Sequence, residues 1–337
     1  MTSKDTLFSA AREGRLDEVK SCLARKIDVN CKDSGGRTPL LWACYYGQLA
    51  VAQYLVQQGG DVYRATTDGY TPLSSAAERG HLGIVQFLVQ HNVDVNSMVH
   101  DKTPLLHAAE RGHLGMAKFL VTQGADVDKE SLVDGCTPTF VAACYGFALV
   151  VAFLKQKGAD INRTNRFGCS PLYVATEQGH LEVVQCLVQM GADVNIANRD
   201  RDTPLHAAMR ADRFDVCAYL LTQNADSTKR NKDGRLCFDM VSRDHRLHFF
   251  SRLLESIAGT REVLKLHDYH VWFVIVQEDE PLPSKGTMKA IGYYANMVEK
   301  VTNFFLLTHT LTHSLTHSYT LALTHSLIYY TFLLLHP

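Results

Sequence analysis

Arg166-Phe167-Gly168-Cys169-Ser170-Pro171-Leu172-Tyr173-Val174-Ala175-Thr176-Glu177-Gln178-Gly179-His180-Leu181-Glu182-Val183-Val184-Gln185-Cys186-Leu187-Val188-Gln189-Met190-Gly191-Ala192-Asp193-Val194-Asn195 reads as one complete structural unit. Ser170 is placed to cap a helix, its hydroxyl accepting from a free N–H of the first turn. Pro171 follows at the first helical position, where a missing N–H costs nothing. Gly179 ends that helix by supplying a left-handed residue. Leu181, Val183, Val184, Leu187 and Val188 then recur at helical spacing and make the apolar stripe of a second helix. Gly191 closes it, and the polar run beyond is a hairpin-like turn.

Working outward, the Ser/Thr-Pro pair returns at Thr38-Pro39, Thr71-Pro72, Thr103-Pro104, Thr137-Pro138, Ser170-Pro171 and Thr203-Pro204, in steps of 33, 32, 34, 33 and 33 residues. A fixed period of this length means stacked supersecondary units. One unit cannot fold alone: ordering about 30 residues costs roughly 1.5 kcal/mol each, which two short helices do not offset without a neighbour.

The repeated run closely resembles the ankyrin repeat. Its signature stands here in variants, among them Gly36-Arg37-Thr38-Pro39-Leu40, Gly69-Tyr70-Thr71-Pro72-Leu73 and Thr203-Pro204-Leu205-His206-Ala207-Ala208. The resemblance covers residues 4 to 256 and implies an all-α solenoid of about eight units, two of them caps. The first unit, Asp5-Thr6-Leu7-Phe8-Ser9-Ala10-Ala11, lacks the Pro and is followed by Arg12, Glu13, Arg15, Asp17 and Glu18. In the last, Cys237 replaces Pro and His245 replaces the interhelical Gly, with Arg243, Asp244, Arg246 and Arg252 nearby. Terminal units must present one face to water, which suits such polar variants. Residues 76–83 and 108–115 are the same octapeptide, Ala-Ala-Glu-Arg-Gly-His-Leu-Gly, a mark of duplication.

In proteins of this kind the hairpin tips and the ends of the first helices line the concave side. By that resemblance the tips are Arg37, Tyr70, Lys102, Cys136, Cys169, Asp202 and Arg235. The helix-end pairs are Tyr45/Tyr46, Glu78/Arg79, Glu110/Arg111, Cys144/Tyr145, Glu177/Gln178 and Arg210/Ala211. Neither set falls on the apolar stripe. Arg37, Tyr45, Tyr46, Tyr70, Arg79, Arg111 and Tyr145 therefore form the candidate partner-binding set, since Tyr and Arg are the residues of binding hot spots. The alternative is that exposed tyrosines are common and Glu/Arg pairs only keep a face soluble. Trp42 lies deeper in its helix and is read as core. Asn96, Asn162 and Asn195 each follow Asp-Val or Asp-Ile with a Leu eight residues upstream. They resemble the hairpin asparagines that an oxygen-dependent asparaginyl hydroxylase modifies in ankyrin proteins. Asn also suits such a turn without any modification.

The chain has 337 residues, 46% of them hydrophobic and 20% charged, values of a folded protein. A net charge of −1 leaves no electrostatic footprint for nucleic acid or an anionic membrane. The start, Met1-Thr2-Ser3-Lys4-Asp5, lacks the apolar core of a secretory signal. Nine cysteines without a Cys-x-x-Cys fit reduced thiols in the cytoplasm, and the nucleus as well. His81, His113 and His180 follow the interhelical Gly and read as structural. His245/His248 and His267/His270 lack the ligands that would complete a zinc site. Gly286 to Gly292 lacks the ending of a phosphate loop. No cofactor, metal or catalytic residue is expected.

After about Ser256 the period stops. Residues 257–301 hold a strand candidate, His270-Val271-Trp272-Phe273-Val274-Ile275-Val276, bounded by a turn; a lone strand makes no sheet, so the segment reads as a truncated second domain. Pro281-Leu282-Pro283 resembles the end of a SOCS box, with no Leu-Cys-Arg before it. Residues 302–337 carry no Asp, Glu, Lys or Arg, and Thr-His-Ser/Thr recurs among leucines. This low-complexity tail has the signature of a translated tetranucleotide repeat and is expected to be disordered or aberrant. Its apolar run, 321–335, is shorter than the roughly 20 residues that span a membrane, which leaves an anchor as the weaker reading.

These features imply a non-enzymatic scaffold or adaptor, a monomer that binds a protein partner. The alternative is a regulatory or substrate-recruiting arm of a larger enzyme, a kinase or ubiquitin ligase.

Overall fold

In a computed structural model, the structure describes residues 3–241 and the two strands Val263–Leu266 and Val271–Val274. The chain separates into two units, Met1–Ala258 and Gly259–Pro337.

The first unit is built of helix pairs. They are α1 (Ser3–Glu13) with α2 (Leu16–Ala24), α3 (Pro39–Tyr46) with α4 (Leu49–Gln57), α5 (Pro72–Arg79) with α6 (Leu82–Val89), and α7 (Pro104–Glu110) with α8 (Leu114–Thr122). Then follow α9 (Pro138–Cys144) with α10 (Ala148–Gln156), α11 (Pro171–Gln178) with α12 (Leu181–Gln189), and α13 (Pro204–Arg210) with α14 (Phe214–Thr222). A 3₁₀ turn, Cys237–Met240, stands where an eighth first helix would begin.

The Ser/Thr-Pro pair does what its chemistry suggests. Thr38 Oγ1 accepts from the Leu41 N–H at 3.2 Å and Ser170 Oγ from the Tyr173 N–H at 3.1 Å, with Pro at the first turn of each helix. Each first helix packs on the first helix of the next unit, and this row is far more closely packed than the row of second helices. The first helices are therefore on the inside of the curve. The core lies between the rows, with Leu40, Leu73, Leu105, Val183, Val184 and Leu187 fully buried. Leu181 and Val188, expected in the same stripe, are half-buried.

Neighbouring units are also tied by polar groups. Gly47 ends α3 with φ of 82°, and a Cβ there would meet the His81 ring at 2.7 Å. That close approach lets His81 Nε2 reach the Tyr45 carbonyl at 3.1 Å, one of the carbonyls a helix end leaves unpaired. His180 bonds the Cys144 carbonyl in the same way at 3.0 Å. These histidines are structural, as their spacing suggested. Hairpin loops are linked by a second set: Asn96 accepts from the Asp126 N–H at 2.8 Å and donates to the Gly124 carbonyl at 3.1 Å.

In the second unit, β1 (Val263–Leu266) pairs antiparallel with β2 (Val271–Val274), Val263 opposite Val274 and Leu266 opposite Val271. The strand expected at 270–276 is present over 271–274, but it is not alone. Its partner, Val-Leu-Lys-Leu, gives too short an alternation to be singled out in the sequence. The His245/His248 and His267/His270 pairs, Pro281–Pro283, the 286–292 run and the 302–337 tail lie outside the described residues.

Candidate protein-interaction face

The first helices present their last residues on the inner side, Glu78 and Arg79 in α5 among them. In α3, Trp42, Tyr45 and Tyr46 are spaced so that they share one face. Trp42, expected in the core, is only partly buried. Its indole N–H donates to Asp33 Oδ2 at 3.0 Å, and its ring stacks on Tyr46 with centroids 5.8 Å apart. Tyr45 packs edge-on to both, 6.4 Å from Trp42 and 5.1 Å from Tyr46. The place of Trp42, four after the capping residue, holds the smaller Ser75, His107, Val174 and Ala207 in other units, where each is buried.

Two arginines close over this cluster. The Arg37 guanidinium, on the hairpin tip, lies 5.0 Å from the Trp42 ring. That of Arg79, at the end of α5, lies 4.1 Å from the Tyr45 ring. Tyr46 remains 44% exposed. Four of the seven sequence-selected residues, Arg37, Tyr45, Tyr46 and Arg79, thus meet through Trp42, which the sequence reading had set aside. Its position three and four residues before Tyr45 and Tyr46 was the available signal.

The other three join a second cluster. Tyr70 packs against the His100 ring at a tilt of 43°, centroids 4.4 Å apart. Arg111 Nη2 lies 3.8 Å from Glu78 Oε1. Tyr145, 52% exposed, donates its hydroxyl to Glu110 Oε1 at 3.2 Å, and Lys102 Nζ meets Glu110 Oε2 at 2.8 Å. Burial opposes ionisation of Glu110, but the Lys102 bond and charge outweigh it and hold the carboxyl below its usual value. Burial, with Glu78 next, raises the Tyr70 hydroxyl; burial and Glu110 raise that of Tyr145. Both stay neutral donors at pH 7.

His107 sits beside this cluster, 5% exposed, with no hydrogen-bond partner on either ring nitrogen among the described residues. Burial, with Lys102 next, lowers its pKa to about 4. The difference from His206 is one residue of register. His206 lies three positions after its capping Thr203, and its Nδ1 reaches Thr203 Oγ1 at 2.8 Å. His107 lies four after Thr103 and cannot.

Further along, Arg210 donates to Asp202 at 2.6 Å, to Glu177 at 3.0 Å and to the Tyr173 hydroxyl at 2.8 Å. Burial pushes the thiols of Cys136 and Cys169 on the tips up to about 11, so neither is a thiolate at neutral pH.

Asn162 accepts from the Asp193 N–H at 3.0 Å and Asn195 from the Asp226 N–H at 2.8 Å, in the manner of Asn96. Asn30 does the same with Asp61 and also donates to the Gly59 carbonyl. It was not singled out because Cys22, not Leu, lies eight residues before it. Among the described residues no group of three or more His, Cys, Asp or Glu is placed to hold a metal ion, and no helix is long and apolar enough to cross a membrane.

The model of the family described as "Ankyrin repeats (3 copies)" matches residues 7–99, 58–131, 97–165 and 139–231. The chain is an ankyrin-repeat protein. Among solved structures it resembles the human ASB11 ankyrin repeat domain, with TM-score 0.54 and 24% identity over 73% of this chain and 96% of that one, a likeness of fold. Among curated relatives, fission-yeast palmitoyltransferase akr1 is 45% identical over 58 residues, 17% of this chain and 9% of that protein. Acyl-CoA-binding domain-containing protein 1 of Arabidopsis thaliana is 44% identical over 54 residues, 16% of each chain. The 26S proteasome non-ATPase regulatory subunit 10 of Dictyostelium discoideum is 43% identical over 56 residues, 16% of this chain and 24% of that protein. Each match spans under a quarter of the relative's length, so what this ankyrin chain shares with them is a stretch of repeats.

Proposed function

We propose that this ankyrin chain is a non-enzymatic scaffold or adaptor that binds a protein partner across the inner face of its repeats. The observation that carries the reading is the Arg37–Trp42–Tyr45–Tyr46–Arg79 cluster. Five large side chains gather there, Trp42 partly buried and Tyr46 44% exposed, and aromatic and Arg side chains held in place beforehand are what binding faces spend least ordering entropy on. All nine cysteines are free, which suits a reducing compartment, the cytoplasm or nucleus. The chain acts as a monomer in this reading. Affinity capture with the whole chain, read by mass spectrometry, tests it: a partner should be retained by wild type and lost when Tyr45, Tyr46 and Tyr70 become Ala. Retention by that variant as strong as by wild type overturns the assignment.

One observation favours a second reading, the regulatory or substrate-recruiting arm of a larger enzyme. The β1–β2 pair belongs to a unit separate from the repeats, as the first strands of a further domain would. Transcripts that continue past Lys300 into a catalytic domain would decide for it.

A further inference from the structure

The charges on the inner face are balanced unevenly. Lys102 meets Glu110, Arg111 faces Glu78, and Arg210 meets both Asp202 and Glu177. Arg37 and Arg79 differ. Among the described residues neither has a carboxylate within ion-pair distance, and each lies over an aromatic ring. Asp33, the acid nearest Arg37 in sequence, is already committed. Its Oδ1 accepts from the N–H groups of Gly35 and Arg37 and its Oδ2 from the Trp42 indole. A guanidinium on a ring face keeps its edge N–H groups free for a planar acid.

Resting on the inner-face reading above, we propose that repeats two and three recognise an acidic peptide segment of the partner. Its carboxylates fork onto the edges of Arg37 and Arg79, and an apolar side chain between them covers the exposed Tyr46 ring. The aromatic contacts hold both guanidiniums in place, so little side-chain freedom is lost when the acid arrives. Lys102, Arg111 and Arg210, neutralised from within, contribute no such preference.

The test is a random-peptide display library panned on the full chain. Selected peptides should be enriched in Asp and Glu over the unselected library. They should bind Arg37→Glu/Arg79→Glu roughly tenfold or more weakly, the scale of lost charge-assisted hydrogen bonds. Their affinity should fall as salt rises from about 50 to about 300 mM. Circular dichroism and urea melts establish that the variant is folded; should it not be, Arg37→Gln/Arg79→Gln removes the charges without repulsion and should show the same loss. Peptides without acidic enrichment, or indifferent to charge removal, overturn the acidic partner. If such peptides are still lost on Tyr45→Ala/Tyr46→Ala/Tyr70→Ala, the inner-face reading survives. If no peptide is selected, or the tyrosine variant binds all of them as wild type does, both fall.

Discussion

The Arg79 guanidinium lies 4.1 Å from the ring of Tyr45, a residue of the preceding repeat, and so links two units across their inner face. An exposed cation–π contact of this kind is worth about 0.5–1 kcal/mol. A double-mutant cycle with Arg79→Ala and Tyr45→Ala, followed by urea unfolding, should return a coupling of about that size. The His81 bond to the Tyr45 carbonyl is unaffected by either change, because it uses the backbone. A coupling of zero would show that the two side chains are independent.

His107 sets a pH dependence. Its folded pKa, about 4, lies below the value near 6.5 of an unfolded histidine. The unfolded chain therefore binds more protons between these values, and stability is full above about pH 6.5 and falls as pH drops towards 4. Lys102, Arg111 and His100 reinforce the shift and Glu110 opposes it. The full effect is on the order of 3 kcal/mol. His107→Val, the residue type that Val141 and Val174 place four after their own capping residues, should flatten this slope. At pH 7 it should be neutral or stabilising by about 1 kcal/mol, since it removes two buried nitrogens that have no hydrogen bond among the described residues. An unchanged slope in the variant would assign the acid sensitivity to other groups.

Two glycines should respond differently to Ala. Gly59 has φ of 86° with nothing within 4 Å of an added Cβ, so Gly59→Ala bears only the left-handed strain of about 1–2 kcal/mol. Gly47 adds the clash with the His81 ring, and Gly47→Ala should cost about 1 kcal/mol more by disrupting its bond to Tyr45. Chemical denaturation of the two variants checks the order.

Asn96, Asn162 and Asn195 are proposed substrates of an asparaginyl hydroxylase. Asn96 is held at both ends of its amide, whereas Asn162 and Asn195 show the acceptor bond alone among the described residues. Since the loop must open to reach an enzyme, a gain of one oxygen is expected first on the Asn162 or Asn195 peptide. Mass spectrometry after incubation with the hydroxylase reads it; three unmodified peptides would reject the proposal.

The period of Thr-Pro and Gly made the helix pairs legible, because capping and chain reversal are local chemistry. The inner face was legible only in part. Residues 76–83 and 108–115 are identical, yet Arg79 lies on Tyr45 while Arg111 faces Glu78. The partner of each is fixed by the unit before it, so one repeat read alone does not give it. Trp42 was missed for a similar reason. An indole in a helix reads as core, and four other units do bury the equivalent Ser75, His107, Val174 and Ala207, while the larger Trp42 stays partly exposed. His107 and His206 differ by one position, and with that offset His206 bonds its capping Thr203 while His107 makes no hydrogen bond among the described residues.

The central claim is that the inner face of repeats two and three holds the partner. Calorimetric titration of the captured partner into wild type, Tyr45→Ala/Tyr46→Ala/Tyr70→Ala and Glu182→Ala tests it most directly. Glu182 is exposed on α12, in the outer row. The tyrosine variant should lose several kcal/mol of affinity by the usual scale of clustered hot spots, with Glu182→Ala unchanged. A partner that binds the tyrosine variant at full strength and is lost on Glu182→Ala would put the binding surface on the outer helices and contradict the account.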